Sequence, residues 1–141
     1  MTTLPSGLTA AILAQSADAI IYADREGYIR LWNAAAEAMF GFAANEAIGQ
    51  SLDIFIPERL RAPHWAGYRM AMENGRTKHA GRPTLTKGLT RSGETIYVEM
   101  SFAVVTGGDG VAVGSVAMAR LPREAPQRPV SGKDPFSGGG A

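Results

Sequence analysis

Few side chains in this sequence have the type and spacing to do chemistry. There are two histidines, His64 and His79, and no cysteine among 141 residues. Without thiols the chain has no disulfide scaffold, no thiolate-ligated zinc, no thiol nucleophile and no cofactor tethered through sulfur. His64 follows Pro63 and stands seven positions after Pro57, on the inward stripe of a helical pattern. An imidazole near a helix amino terminus has its cationic form disfavoured by the positive end of the dipole, which leaves a nitrogen lone pair available to a metal. The same placement suits a histidine simply hydrogen-bonded in or beside a pocket, and both readings stay open. His79 lies beyond Gly75 in the polar stretch Arg76-Thr77-Lys78-His79 and reads as a solvated loop residue. Two histidines without a close carboxylate cluster do not make a structural metal site. No serine is placed with a base and an orienting acid, and Gly107-Gly108-Asp109-Gly110 reads as a hairpin turn rather than a phosphate-binding loop. No catalytic residue is expected, and the chain reads as a non-enzyme.

The elements that must position His64 follow from the hydrophobic periodicity. Residues 17–23 read as a strand, Asp24-Arg25-Glu26-Gly27 as a tight turn and residues 28–32 as a second strand, which makes a hairpin. Asn33 caps a short helix over residues 34–40 that stops at Gly41, and residues 45–48 form a further helical turn ended by Gly49. A longer helix is predicted over residues 58–74, with Leu60, His64, Gly67, Tyr68 and Ala71 on one stripe and Glu58, Arg69 and Glu73 opposite. A strand near residues 83–90 then meets the turn Arg91-Ser92-Gly93-Glu94. Beyond it Ile96, Val98, Met100, Phe102 and Val104 alternate with more polar residues, as a sheet with one buried face requires. Residues 111–119 are apolar or small on both faces, the pattern of a strand in the middle of a sheet.

Composition bounds the rest. With 14 basic and 13 acidic side chains the net charge is +1, too small to mark a nucleic-acid or anionic-lipid surface. Residues 1–16 lack a basic leader and read as a helical segment rather than a signal peptide, and no stretch approaches the ~20 apolar residues of a membrane span. The expectation is a cytoplasmic protein with no membrane and no nucleic-acid partner. From residue 122 to 141 the chain holds four of its eight prolines and four of its 17 glycines, so this Pro/Gly-rich tail is expected to be disordered. The domain boundaries read as residues 1–16, 17–121 and 122–141.

Several motifs in this order carry a family likeness. They are Asp24-Arg25-Glu26-Gly27 before Ile29, the run from Leu31-Trp32-Asn33 to Phe40-Gly41-Phe42, Glu46-Ala47-Ile48-Gly49, Ile56-Pro57-Glu58-Arg59, and Arg91-Ser92-Gly93 opening the alternating strand. Together they resemble the PAS domain family of sensory modules over nearly all of the chain before the tail. The resemblance implies an α+β fold: a five-stranded antiparallel sheet of order 2-1-5-4-3, with short helices and one long helix on one face. It also implies a small-molecule pocket between the long helix and the sheet, with His64, Tyr68, Trp32 and Met100 as the candidate binding residues.

Further implications concern function. The family binds and relays, so the chain is expected to be a stand-alone sensory or protein-interaction module in signal transduction or transcriptional regulation, working through a homodimer or a signalling partner. In haem-PAS oxygen sensor kinases the proximal ligand occupies the place of His64 after a similar proline, which makes a haem-b gas or redox sensor the alternative, with His64 as the metal ligand. Gly67 stands where those sensors have an aromatic residue, and Thr84 where they have a distal arginine, Arg82 falling two residues early. Trp32-Asn33 as one wall of a non-covalent flavin site is a weaker alternative, and a ligand-free dimerisation module is a third class. Trp65, at the stripe's edge, is expected on the surface or against a partner. Ala43-Ala44 replaces the family's usual Ser-Pro, so the helical turn that follows is expected to lack a side-chain cap.

Overall fold

The computed structural model describes residues 5–77 and 81–123. The expectations for residues 1–4, for His79 and for the tail beyond residue 123 fall outside the described residues. In chain order the elements are α1 (Leu8–Gln15), β1 (Ala19–Asp24), β2 (Ile29–Trp32), α2 (Ala34–Phe40), α3 (Ala44–Ala47), a 3-10 turn (Leu52–Phe55), α4 (Glu58–Asn74), β3 (Thr84–Leu89), β4 (Thr95–Thr106) and β5 (Ala112–Arg120). The five strands form one antiparallel sheet in the order β2-β1-β5-β4-β3. The apolar, small-residue pattern of residues 111–119 fits its position: β5 pairs with β1 on one side and β4 on the other.

Register fixes which side chains face the helices. Tyr22 pairs with Val116 and Ile21 with Ala117, while Met100 pairs with Thr84 on one neighbour and Ala119 on the other. Ile21, Ala23, Val98, Met100, Ala117 and Ala119 therefore enter the core, and all are buried. Leu85, Glu99, Arg120, Met118 and Ser101 share the opposite face by the period-two rule, and Leu85 and Met118 stay 39% and 45% exposed there. Helix α1 packs beside α2 and buries none of its residues, Ile12 being 55% exposed, so within one chain it leaves Leu85 and Met118 uncovered.

Asn33 is the joint between hairpin and helices. Its Oδ1 accepts the Ala36 N–H at 3.0 Å as the cap of α2 and the Ile20 N–H at 2.9 Å, while its Nδ2 donates to the Leu13 and Asp18 carbonyls at 2.8 and 3.0 Å. Both donors and both acceptor sites of the amide are used, which explains an almost fully buried polar residue. Helices α2 and α4 end at Gly41 and Gly75 as the sequence predicts. Ala43 gives α3 no side-chain cap, but the turn's amides are not left unpaired. Glu46 Oε1 accepts the Ala43 N–H at 2.9 Å and Glu37 Oε2 accepts the Ala44 N–H at 2.6 Å. Two carboxylates thus replace the missing hydroxyl at a helix amino terminus, where negative charge is favoured.

Candidate ligand pocket

The functional candidates meet, with one exception, between α4 and the sheet. A cavity of about 320 Å³ lies there, lined from α4 by His64, Tyr68 and Met72 and from the sheet by Met100, Phe102 and Ser115, with Arg82 and Thr84 at the start of β3. It is mostly apolar, in the size range of small-ligand sites. Tyr68 Oη donates to the Asp24 carbonyl at 2.7 Å and accepts from Ser115 Oγ at 3.2 Å, so the polar groups at its back wall satisfy one another. Burial pushes the Tyr68 phenol upward, which keeps its proton on as the donor to Asp24.

His64 sits on the stripe where the sequence puts it, with ring centroids 4.7 Å from Trp65, 5.7 Å from Tyr68 and 6.4 Å from Phe102. Burial lowers its pKa to about 4, against a weaker opposing pull from Asp53. The imidazole is therefore neutral at pH 7. Its Nδ1 is buried and has no hydrogen-bond partner among the described residues. A buried polar atom left unpaired costs roughly 1–3 kcal/mol, so this nitrogen is the one wall group whose chemistry calls for something more than the described residues supply.

Trp32 is the exception. It does not line the cavity: its ring packs with Phe40, Phe42 and Phe55 at centroid distances of 5.7, 6.2 and 5.9 Å, and its Nε1 donates to the Phe42 carbonyl at 2.9 Å. The side chain is core under α2 and the 3-10 turn, so the structure does not bring it into a binding wall. Trp65 also differs from expectation. It turns back onto its own domain, its Nε1 donating to Asp53 Oδ1 at 2.8 Å and its ring lying against Gly27. Gly27 has φ +89°, and a Cβ there would sit 2.2 Å from the Trp65 ring, so conformation and space both require glycine. Arg25 completes the clasp by donating to the Met72 carbonyl of α4 at 3.3 Å and the Ala112 carbonyl of β5 at 2.8 Å.

Met72 and Ser115 complete the wall, and the residue-by-residue reading of the sequence passes over both. Met72 continues the four-residue spacing of Leu60, His64 and Tyr68, and Ser115 is the one hydroxyl in an otherwise apolar strand. Both signals were present in the sequence.

The fold and this pocket define a PAS sensory module. The model of the PAS fold family matches residues 7–121, and the chain belongs to that family. It is similar to the sensor protein FixL of Bradyrhizobium diazoefficiens, 32% identical over 97 residues, which cover 69% of this chain and 19% of FixL. The chain thus spans about a fifth of that relative's length. Among solved structures it is similar to the PAS domain of a Colwellia psychrerythraea protein, with TM-score 0.71 and 22% identity, covering 81% of this chain and 93% of that one. An RNA-binding light-oxygen-voltage receptor matches with TM-score 0.70 and 21% identity, covering 86% of this chain and 36% of that one. At these identities the two structures show a shared fold. Among the described residues no helix is long and apolar enough to cross a membrane.

Proposed function

We propose that this domain is a ligand-binding sensory and protein-interaction module, of the kind that serves signal transduction or transcriptional regulation, and that it has no catalytic role of its own. The observation that carries this reading is the cavity under α4 with the buried Nδ1 of His64, unpartnered among the described residues, on its wall. A ligand that pairs with this nitrogen favours the packing in which α4 lies closed on the sheet. Occupancy then shifts the populations of two packings, and a partner or a second copy of the chain on the exposed sheet face reads the change. The cytoplasm is the compartment this reading supposes.

Haem b is the second reading, and the residues meet it halfway. The neutral imidazole of His64 is a competent iron ligand. A porphyrin, however, is larger than a cavity of about 320 Å³, so space is lacking while α4 lies where it does. Titration of the purified chain with haemin separates the two readings. The small-molecule reading expects no Soret band dependent on His64; a band that His64→Ala removes and His79→Ala leaves intact would replace it with the haem reading.

A further inference from the structure

The two hydroxyls on the inner wall of the cavity have spent their protons. Tyr68 Oη donates to the Asp24 carbonyl at 2.7 Å, and a carbonyl has no proton to return. The 3.2 Å bond between Tyr68 and Ser115 is therefore donated by Ser115 Oγ. A serine hydroxyl has one proton and two lone pairs, so Ser115 accepts but has nothing left to donate. The residue is 5% exposed and lines the cavity, so a ligand reaches those lone pairs from inside it. Ser115 also stands away from the β3 end. Strand β4 separates β5 from β3, roughly 10 Å at ~4.8 Å per strand, and Ser115 pairs with Val104 whereas Thr84 pairs with Met100. Whatever the groups around the start of β3 contact, the inner end offers lone pairs. His64 makes no demand of either kind, because each nitrogen of a neutral imidazole donates or accepts according to the tautomer. Between the two ends lie Met72, Met100 and Phe102. Methionine sulfur against an aromatic ring is a favourable contact, which biases this wall toward a flat aromatic body. At roughly 30 Å³ for a water-sized group, the volume admits about ten non-hydrogen atoms.

We propose that the cavity takes a small neutral phenol, its ring among Met72, Met100 and Phe102 and its hydroxyl donating to Ser115 Oγ. The inference rests on the ligand-binding reading above and adds the class of ligand. A phenol shares an oxygen lone pair with its ring, so it donates more strongly and accepts more weakly than an aliphatic alcohol. That is the balance a wall with lone pairs and no spare proton selects, since an alcohol brings a more basic oxygen that this wall leaves unpaired.

Calorimetric titration of the full chain with p-cresol, its isomer benzyl alcohol and 4-fluorotoluene, in which fluorine replaces the hydroxyl, tests this. The phenol is expected to bind about tenfold tighter than the fluoro compound, with the alcohol between them. In Ser115→Ala, which removes the accepting oxygen, p-cresol falls to the affinity of 4-fluorotoluene, whose own affinity is unchanged. The unliganded melting temperature checks that the variant folds, and the ranking on the natural chain decides independently of it. The proposal is overturned if 4-fluorotoluene or benzyl alcohol binds as tightly as p-cresol, or if the preference for the phenol survives in Ser115→Ala. In either case the cavity still binds small molecules and the sensory reading stands. If none of the three binds, the phenol proposal also falls, and a bare native mass of the purified chain would take the broader reading with it.

Discussion

At the scale of single residues, His64 concentrates what is unusual about this domain. A histidine with its pKa depressed to about 4 in the folded state and near 6.5 when unfolded binds its proton more readily after unfolding. Its contribution to stability is therefore complete above about pH 6.5 and is lost progressively as pH falls toward 4, by an amount on the order of 3 kcal/mol at the low end. Thermal melts across that window are expected to show a steep fall for the natural sequence and a flatter one for His64→Leu, which keeps bulk but cannot be protonated. Two carboxylates with lowered pKa act at the low end of this window and below it, in both proteins alike. In Asp24 burial raises the pKa, but the Tyr28 N–H and Arg30 outweigh it; in Glu46 the Ala43 N–H is the main cause, with Arg91 adding to it. Equal pH slopes for the two proteins would show that His64 titrates like an exposed imidazole and does not carry the desolvated nitrogen described above.

At the scale of elements, α4 decides how the pocket is built, and it shows how much of the site was legible. Periodicity placed Leu60, His64, Tyr68 and Ala71 on one face because a helix repeats every 3.6 residues, a property read within one turn of chain. The clasp that holds this helix down was not legible. Trp65 with Asp53 and Gly27, and Arg25 with Met72 and Ala112, join residues 12 to 87 apart in sequence, and no local pattern records such pairings. Trp32 went astray for a related reason: its position at the end of β2 is explained equally by core and by wall, and only the packing of Phe40, Phe42 and Phe55 around it separates them. Two glycines test the element's design in opposite directions. Gly67 lies inside α4 with open space around it, so Gly67→Ala is expected to stabilise by about 1 kcal/mol through helix propensity, read as a higher melting temperature. Gly27→Ala, strained in φ and crowded by the Trp65 ring, is expected to destabilise by about 2 kcal/mol or more and to shift the tryptophan fluorescence as the Trp65 ring is displaced. A neutral Gly27→Ala would mean that the indole does not rest on the hairpin.

At the scale of the whole molecule, the sheet has one face that lines the cavity under α4 and an opposite face on which Leu85 and Met118 are exposed. The order 2-1-5-4-3 places β5, the last strand in sequence, at the centre, so the wall residue Ser115 and the exposed Met118 lie on opposite faces of the same strand. Under the proposed function, β5 is therefore the element through which occupancy on the inner face would reach the outer one. The central claim is that the space under α4 belongs to a ligand. Native mass spectrometry of the freshly purified chain tests it most directly, set beside Ala71→Phe, which fills the cavity from the α4 side, with melting curves to verify that the variant folds. A bound mass on the natural chain that denaturation releases and Ala71→Phe lacks is the predicted result. A bare mass for both proteins, together with no shift in melting temperature across a panel of small phenols, acids, amides and amines, would contradict it and leave a ligand-free dimerisation module.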